Sequence, residues 1–269
     1  MKRLAVIGKD VSKSASPQIH NFIAKKLNLE LEYGAISVPE EEFGGRIGEI
    51  LKNYDGLNVT IPYKLSIISC LKNTVGDAVA FGAVNTVDTH SLTGYNTDGE
   101  GFALMLSNEG VRLRGKDVLV IGAGGAGRSV AAKLCESGAK TFIYDKNFDG
   151  ARAVASEFTG VTALEKIPLT PYYAVINASG VGMHKSEGLS PAGGDLLSLC
   201  EVAADLIYVP ARSKFLEIAA SYGKKIINGL AMLFYQAYFA ECIFFGRTPD
   251  ENEAKKLFEE YAASAQREG

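Results

Sequence analysis

The stretch DVLVIGAGGAGRSV, residues 117–130, decides the fold of this 269-residue chain. An apolar run over 117–121 reads as a buried strand, and glycines follow it at positions 122, 124 and 127, before a helix predicted over 128–137. The first glycine permits a tight turn, the second lets a pyrophosphate approach the backbone, and the third lets the helix pack on the strand. The helix N-terminus then presents unpaired N–H groups to negative charge. The stretch therefore predicts a Rossmann-type dinucleotide site, and the alternative is a glycine-rich turn without a ligand.

The residues after the next predicted strand, 140–144, bear on the choice of dinucleotide. Asp145 directly follows that strand, about 20 residues after the glycines, where an acid commonly meets the adenosine ribose. Its carboxylate would accept a hydrogen bond from a 2′-hydroxyl and repel a 2′-phosphate, which favours NAD. Lys146 beside it and Arg128 in the glycine turn could each neutralise such a phosphate, which favours NADP. A structural alternative makes Asp145 the cap of a turn.

The composition excludes several classes of protein. There are 28 Lys and Arg residues against 31 Asp and Glu, giving a net charge of −3, unlike a protein that binds the phosphate backbone of a nucleic acid. The four cysteines lie far apart and the three histidines lack metal-ligand spacing, so we expect no metal site and a reduced, cytoplasmic location. The longest apolar stretch, residues 230–245, is interrupted by Gln236 and Glu241 and is too short to span a bilayer. We therefore expect neither a nucleic-acid nor a membrane partner.

Strand and helix patterns alternate in two blocks that meet near residue 102. The first block predicts a mainly parallel sheet covered by helices, and the second starts afresh at the 117–121 strand. Two helices from Gly229 end the chain, and we expect them to fold back onto the first block. The predicted fold is α/β with two domains. A substrate-binding catalytic domain takes residues 1–102 and 237–269, and a Rossmann-type nicotinamide dinucleotide-binding domain takes residues 103–236.

Short polar side chains stand at the predicted strand ends of the first block. They are Ser14, Ser16, Asn58, Thr60, Asn85, Thr86, Asn96, Thr97 and Asp98, with Lys64 among them. Ligands of open α/β sheets bind outside the carboxyl ends of the strands, and Ser, Thr and Asn both donate and accept hydrogen bonds. We therefore predict a polyhydroxylated small molecule as the ligand. The structural alternatives make Ser16 a helix N-cap, Asp98 the cap of the following helix and Lys64 a solvated surface lysine.

The order and spacing of these motifs resemble those of the shikimate dehydrogenase family. The motifs are SASP (14–17), NVTIPYK (58–64), GAVNT (82–86), GYNTDG (94–99), GAGGA (122–126), INAS (176–179), DLIY (205–208) and NGLAMLFYQ (228–236). The resemblance covers nearly the whole chain. It implies the reversible, NADP-dependent reduction of 3-dehydroshikimate to shikimate in the biosynthesis of chorismate and the aromatic amino acids.

The resemblance also implies roles for individual residues. Lys64 and Asp98 would form the catalytic pair, in which the lysine ammonium stabilises and protonates the developing oxyanion and the carboxylate positions it. The substrate would be held by Ser14, Ser16, Asn58, Thr60, Asn85, Asp98 and Gln236. The cofactor would be held by Gly122, Ala123, Gly124, Gly125, Ala126, Gly127, Arg128, Asp145, Lys146, Tyr208 and Gly229.

One departure from the family pattern leaves the cofactor open. This chain has Asp145-Lys146-Asn147 where many members have Asn-Arg-Thr, whose arginine clamps the 2′-phosphate of NADP. NADP is the family expectation, and NAD stays an alternative because of Asp145. Two other functions also stay open: a quinate/shikimate dehydrogenase that uses NAD, and a non-catalytic sensor of nucleotide and ring acid. The presence of both Lys64 and Asp98 counts against the sensor. The sequence is compatible with a monomer or a homodimer.

Overall fold

The computed structural model describes residues 1–183 and 186–268, and the chain divides into two compact units. The first unit comprises Met1–Leu104 and Leu233–Gly269, and the second comprises Met105–Met232. Each contains a six-stranded sheet with helices, which confirms the predicted two-domain α/β fold class. The division of substrate and cofactor between the ranges given above stays a prediction. Among the described residues, no helix has both the length and the apolar character needed to cross a membrane.

The elements are numbered in chain order. The strands are β1 (Lys2–Gly8), β2 (Leu31–Ser37), β3 (Gly56–Val59), β4 (Asn73–Thr74), β5 (Thr86–Asp88), β6 (Thr93–Tyr95), β7 (Asp117–Ile121), β8 (Lys140–Tyr144), β9 (Val161–Leu164), β10 (Ala174–Asn177), β11 (Val202–Asp205) and β12 (Lys225–Ile227). The helices are α1 (Ser16–Leu27), α2 (Glu40–Asn53), α3 (Asp77–Phe81), α4 (Asp98–Asn108), α5 (Gly125–Glu136), α6 (Phe148–Glu157), α7 (Gly194–Leu197), α8 (Lys214–Ser221), α9 (Leu230–Phe245) and α10 (Glu251–Glu268), and a 3₁₀ helix spans Ser66–Cys70.

The sheet of the first unit has the strand order β2-β1-β3-β5-β6-β4. β1 pairs in parallel with β2 and β3, and β4 pairs in parallel with β6. β5 runs antiparallel to both of its neighbours, β3 and β6. Residues 4–7 of β1 are all apolar and buried, because a central strand is covered on both faces. The sequence analysis missed β4 and β6, which are too short to show a periodicity.

Helices from the end of the chain belong to the first unit. α10 packs on α1, where the rings of Phe22 and Tyr261 lie 5.2 Å apart and Lys26 pairs with Glu260 at 2.5 Å. α9 contributes several fully buried aromatic residues to the same unit. The residues that follow β1 and β3 lie at one edge of the sheet, because these strands are parallel. Asn85 lies at the same edge, because it directly precedes β5, which runs antiparallel to β3.

The sheet of the second unit has the strand order β12-β11-β10-β7-β8-β9, and all its pairings are parallel. β7 is a central strand, and three of its residues have no exposed surface: Val118, Leu119 and Val120. The apolar composition of β7 follows from burial on both faces, as in other parallel sheets. The glycine turn follows β7 directly and leads into α5, which puts it at the carboxyl edge of the sheet.

Candidate active site

Lys64 and Asp98 form a close pair in the first unit. The Lys64 Nζ donates to Oδ2 of Asp98 over 2.5 Å, and the two side chains are only 14% and 9% exposed. Lys64 lies in the segment after β3, and Asp98 is the first residue of α4. The backbone N–H of Asp98 donates to Oδ1 of Asn96 over 3.0 Å, which helps to orient this turn. The alternative in which Lys64 is a solvated surface lysine is therefore wrong.

The Asn85 amide connects this pair to a helix from the other end of the chain. Its Nδ2 donates to Oδ1 of Asp98 over 2.9 Å and lies 3.4 Å from Oε1 of Gln236 in α9. Its Oδ1 accepts from the backbone N–H of Thr97 over 2.8 Å, so the amide cannot turn without losing a bond. The network thus joins Lys64, Asp98, Asn85 and Gln236, four of the predicted site residues.

Asn58 extends the network toward β2. Its Nδ2 donates to Oγ1 of Thr86 over 3.1 Å, and its Oδ1 accepts from the hydroxyl of Tyr33 over 2.7 Å. Thr86 belongs to the polar side chains that the sequence predicts near the ligand, whereas Tyr33 was not predicted. Tyr33 reads as an ordinary core residue because its one signal, a hydroxyl on a buried strand position, needs a partner to be recognised.

Two serines form a separate polar group at the start of α1. The Ser14 hydroxyl donates to Oγ of Ser16 over 3.1 Å, and the Ser16 N–H donates to Oγ of Ser14 over 3.2 Å. The N-cap alternative for Ser16 is wrong, because α1 begins at Ser16 itself and has no side-chain cap. The structure brings the serines to each other rather than to the Asn85 network.

Thr60 follows β3 at the same edge of the sheet. Its N–H donates to the carbonyl of Ile7 in β1 over 2.9 Å. Its methyl group would lie 2.6 Å from a Cβ at position 8, so a larger residue there would force neighbouring side chains to shift. Thr60 is therefore held against the carboxyl end of β1, where the sequence predicted a ligand residue.

The glycine turn has the geometry that close approach by a ligand requires. Gly122 has a φ of +111°, and a Cβ on Gly127 would lie 2.0 Å from the carbonyl oxygen of Gly122. A Cβ on Gly124 would meet no atom within 4 Å, so the backbone there is open. The helix begins at Gly125 and not at Arg128 as predicted, and no side chain caps it. Its first-turn N–H groups therefore come from residues 125–127, and they fit a pyrophosphate.

Asp145 is bonded to the glycine turn. Its Oδ2 accepts from the N–H of Ala123 over 2.8 Å, and its Oδ1 accepts from the N–H of Asn147 over 2.8 Å. The carboxylate thus caps the turn after β8, as the structural alternative held, while it also holds the cofactor turn. Lys146, the next residue, is exposed.

The Arg128 side chain forms an ion pair with Glu157. Its Nη1 donates to Oε1 of Glu157 over 2.8 Å, and its Nη2 pairs with the second carboxylate oxygen. Its guanidinium carbon also lies 5.5 Å from the ring centroid of Phe158. Both Nη atoms of Arg128 thus bind Glu157. Of the two predicted cations, Lys146 is the one that directly follows Asp145 in the chain.

Tyr208 and Gly229 belong to segments at the carboxyl edge of the second sheet. Tyr208 is half-buried after β11. The N–H of Gly229 donates to the carbonyl of Ile207 over 3.0 Å, and a Cβ at position 229 would lie 2.1 Å from the carbonyl oxygen of Leu206. Glycine is required there because two backbone segments touch.

A buried carboxylate that the sequence analysis assigned no role holds these loops. Asp205 has no exposed surface and accepts from Ser213 at 2.5 Å, from Nδ2 of Asn177 at 3.0 Å and from the N–H of Ile207 at 3.0 Å. Burial raises the pKa of Asp205, against the opposing effect of these donors. Ser213 also accepts from the N–H of Leu216 and caps α8. The loops after β10 and β11 are thereby fixed to one another.

The arrangement in the first unit is suited to proton transfer beside a ring with several hydroxyl groups. It places one ammonium, one carboxylate and three side-chain amides together under partial burial. Within residues 1–183 and 186–268, His, Cys, Asp and Glu side chains form no group of three or more that could hold a metal ion.

Comparison with known proteins identifies the family of the chain. The family model of the shikimate dehydrogenase substrate binding domain matches residues 6–87, and that of shikimate / quinate 5-dehydrogenase matches residues 104–183. A shikimate dehydrogenase (NADP(+)) from Carboxydothermus hydrogenoformans is 39% identical over 268 residues, 95% of each chain.

Solved structures agree with this result. The crystal structure of shikimate 5-dehydrogenase from Thermus thermophilus, in complex with NADP(H) and shikimate, has a TM-score of 0.85 and 36% identity, and the match covers 96% of this chain and 98% of that one. Shikimate 5-dehydrogenase from Listeria monocytogenes, in complex with shikimate and NAD, has a TM-score of 0.82 and 27% identity over 96% of each chain. With two family models in sequence order and relatives that match along nearly its whole length, this chain belongs to the shikimate dehydrogenase family.

Proposed function

We propose that this chain is a shikimate dehydrogenase that reversibly reduces 3-dehydroshikimate to shikimate with NADPH, in the biosynthesis of chorismate and the aromatic amino acids. The observation that carries the proposal is the Lys64–Asp98 pair, 2.5 Å long and mostly buried, within a network of hydroxyl-reading amides. The ketone of the substrate would lie against Nζ of Lys64. The amides of Asn58, Asn85 and Gln236 would bind the remaining ring hydroxyls.

The proposed roles of the pair follow from its geometry. When bound, the nicotinamide supplies or takes up the two electrons of the reaction. As the ketone is reduced, negative charge develops on its oxygen, and the Lys64 ammonium stabilises that charge and delivers a proton. Oδ2 of Asp98 holds Nζ of Lys64 in place and compensates its charge, and Asn85 donates to the other carboxylate oxygen, Oδ1. In the oxidative direction Lys64 accepts the proton of the hydroxyl group.

The Ser14–Ser16 pair and Thr60 complete the proposed substrate site. They lie at the carboxyl ends of β1 and β3, and their hydroxyl groups can donate to the ring carboxylate of shikimate. Shikimate oxidation followed by the absorbance of the reduced nicotinamide tests the proposal. Quinate as an alternative substrate tests the broader quinate/shikimate activity, and binding without turnover would support the sensor.

The proposed cofactor is NADP, held by the glycine turn with Lys146 as the partner of the 2′-phosphate. Relatives named as NADP(+) enzymes and the exposure of Lys146 support NADP. One observation favours NAD as a second candidate: Asp145 places a carboxylate at the turn. Gly122, Gly124, Gly125, Ala126 and Gly127 would serve either dinucleotide, because they meet the shared pyrophosphate.

A titration of both cofactors into the Lys146→Ala variant tests this proposal. We expect about five- to tenfold weaker binding of NADP and unchanged binding of NAD, the size of one exposed charge-assisted contact. Lys116→Ala is the matched control, since Lys116 is an exposed lysine at the opposite, amino end of β7. Equal loss for both cofactors would contradict a contact with the 2′-phosphate.

We also propose a cytoplasmic location and a monomeric or homodimeric state. The four cysteines, Cys70, Cys135, Cys200 and Cys242, are free, which agrees with a reducing compartment. Light scattering coupled to size-exclusion chromatography distinguishes the monomer from the homodimer.

A further inference from the structure

Tyr33 contacts the proposed site but has no part in the roles described so far. Its side chain is 6% exposed, and its ring stacks on that of His20 with centroids 3.9 Å apart and planes at 13°. His20 is held in turn by Glu241 of α9, whose Oε1 lies 2.6 Å from Nδ1, and both side chains are fully buried. Residues of α1 and α9 therefore fix the phenol of Tyr33 before any ligand binds.

The Asn58 amide has one orientation that satisfies all its neighbours. The carbonyl of Asn85 can only accept, so it requires Nδ2 of Asn58, which lies at 3.3 Å. The same Nδ2 donates to Oγ1 of Thr86 over 3.1 Å, so both of its N–H groups are used within the protein. Oδ1 accepts from Tyr33, whose pKa is raised by burial and by the charge of Glu241, so the phenol keeps its proton. One lone pair of Oδ1 remains for a ligand.

A chain of hydrogen bonds continues from Asn58 to the catalytic pair, and each group ahead of Asp98 accepts from the group before it and donates to the group after it. Thr86 accepts from Asn58 and donates to Oδ1 of Asn85 over 2.8 Å. Asn85 then donates to Oδ1 of Asp98 over 2.9 Å, and Oδ2 of Asp98 accepts from Lys64. Four hydrogen bonds thus run in one direction from the phenol to the carboxylate, and bonds arranged in this way polarise one another.

We propose that Tyr33 is a positioning residue that fixes Asn58 as a hydrogen-bond acceptor, so that the site selects a ligand with a hydroxyl donor opposite Oδ1. The inference rests on the proposed function, because it requires that Asn58 meets a ring hydroxyl of shikimate. Without the phenol, Oδ1 loses its internal donor and the amide loses one of the bonds that orient it. The expected loss is that of one neutral hydrogen bond, about three- to tenfold in binding.

The test compares ligands that lack one hydroxyl each. Dissociation constants of shikimate, 4-deoxyshikimate and 5-deoxyshikimate are measured by calorimetry for the wild type and for Tyr33→Phe. In the wild type, loss of the hydroxyl that Asn58 reads weakens binding, and in Tyr33→Phe this penalty shrinks by about three- to tenfold. The penalty for the other hydroxyl stays the same. Since Lys64 and Asp98 are retained, KM changes more than kcat.

Tyr63→Phe is the matched control. Tyr63 is buried in the same unit, and its ring also stacks at 13°, on Phe43. Its hydroxyl donates to the backbone carbonyl of Val38 instead of to a site amide. Its removal deletes an equivalent buried hydroxyl and leaves both hydroxyl penalties unchanged.

Three results are decisive. Identical hydroxyl penalties in the wild type and in Tyr33→Phe would overturn the positioning role. So would a wild-type protein that binds 4-fluoro and 5-fluoro analogues as tightly as shikimate, because fluorine cannot donate a hydrogen bond, and this measurement needs no variant to fold. A wild-type protein that binds no shikimate would instead contradict the proposed function.

Discussion

Replacement of Lys64 by methionine isolates the ammonium from the stem of the side chain. Methionine keeps much of the apolar volume of the lysine side chain and removes the ammonium group, which donates to Asp98 over 2.5 Å. A positioned general acid or base contributes about 10²–10⁴-fold to a rate, and Lys64 is the base in the oxidative direction, so we expect kcat for shikimate oxidation to fall about a thousandfold. KM should change less than about threefold, because the interaction strengthens as charge develops in the transition state.

The Lys64→Met substitution should also lower the stability of the fold, because it leaves the carboxylate of Asp98 without its ammonium partner. Asp98 is 9% exposed and keeps Asn85 as a donor, so its carboxylate is left partly compensated. We expect the free energy of unfolding at pH 7 to fall by about 2–3 kcal/mol, between the cost of one unsatisfied polar atom and that of an unpaired buried charge. Urea denaturation measures it.

Lys9→Met provides the control, because Lys9 forms a lysine–carboxylate pair of nearly the same length in the same unit. Its Nζ lies 2.6 Å from Glu40, but the two side chains are 62% and 56% exposed. Water and salt screen such a pair, so we expect no measurable change in kcat or stability. A kcat for Lys64→Met within tenfold of the wild type would remove this lysine from the chemistry. An equal loss in Lys9→Met would show that the effect is not specific to the buried pair.

Of three further predictions, two concern the glycine turn and one concerns the response to acid. Gly127→Ala should lower the free energy of unfolding by at least about 2 kcal/mol, because the new Cβ would lie 2.0 Å from the carbonyl oxygen of Gly122. Gly124→Ala should leave the thermal unfolding temperature unchanged and weaken cofactor binding in a titration, since its Cβ meets no protein atom within 4 Å. Asp55 accepts from the N–H of Arg3 over 2.7 Å, and this bond lowers its pKa below the ordinary 3.8. Its contribution to stability is present above that value and is lost as the pH falls through the folded-state pKa, so Asp55→Asn should flatten the decline in urea stability below about pH 4; equally steep declines in both proteins would contradict this.

Much of the fold could be predicted because its signals are local. The 117–121 strand and the glycines after it specify a strand, a turn and a helix within a few residues of one another. The start of the helix was placed at Arg128 instead of Gly125, because consecutive glycines read as a turn whether or not their N–H groups already belong to a helix. The short strands β4 and β6 could not be predicted, since pairing with neighbours and not periodicity makes them strands.

In the candidate site, too, some features follow from the sequence and others only from the tertiary structure. The sequence by itself determined which side chains with donor, acceptor and charged groups stand at the ends of the strands, because a parallel strand that is buried on both faces must place its polar residues there. The tertiary structure alone decided which of these groups meet. Tyr33 and Asn58 are 25 residues apart, Asn85 and Gln236 are 151 apart, and His20 and Glu241 are 221 apart. A hydrogen bond depends on a distance of about 3 Å and on the direction of its donor. Both are set by the packing of α1 and α9 within the first unit, which no local pattern in the chain encodes.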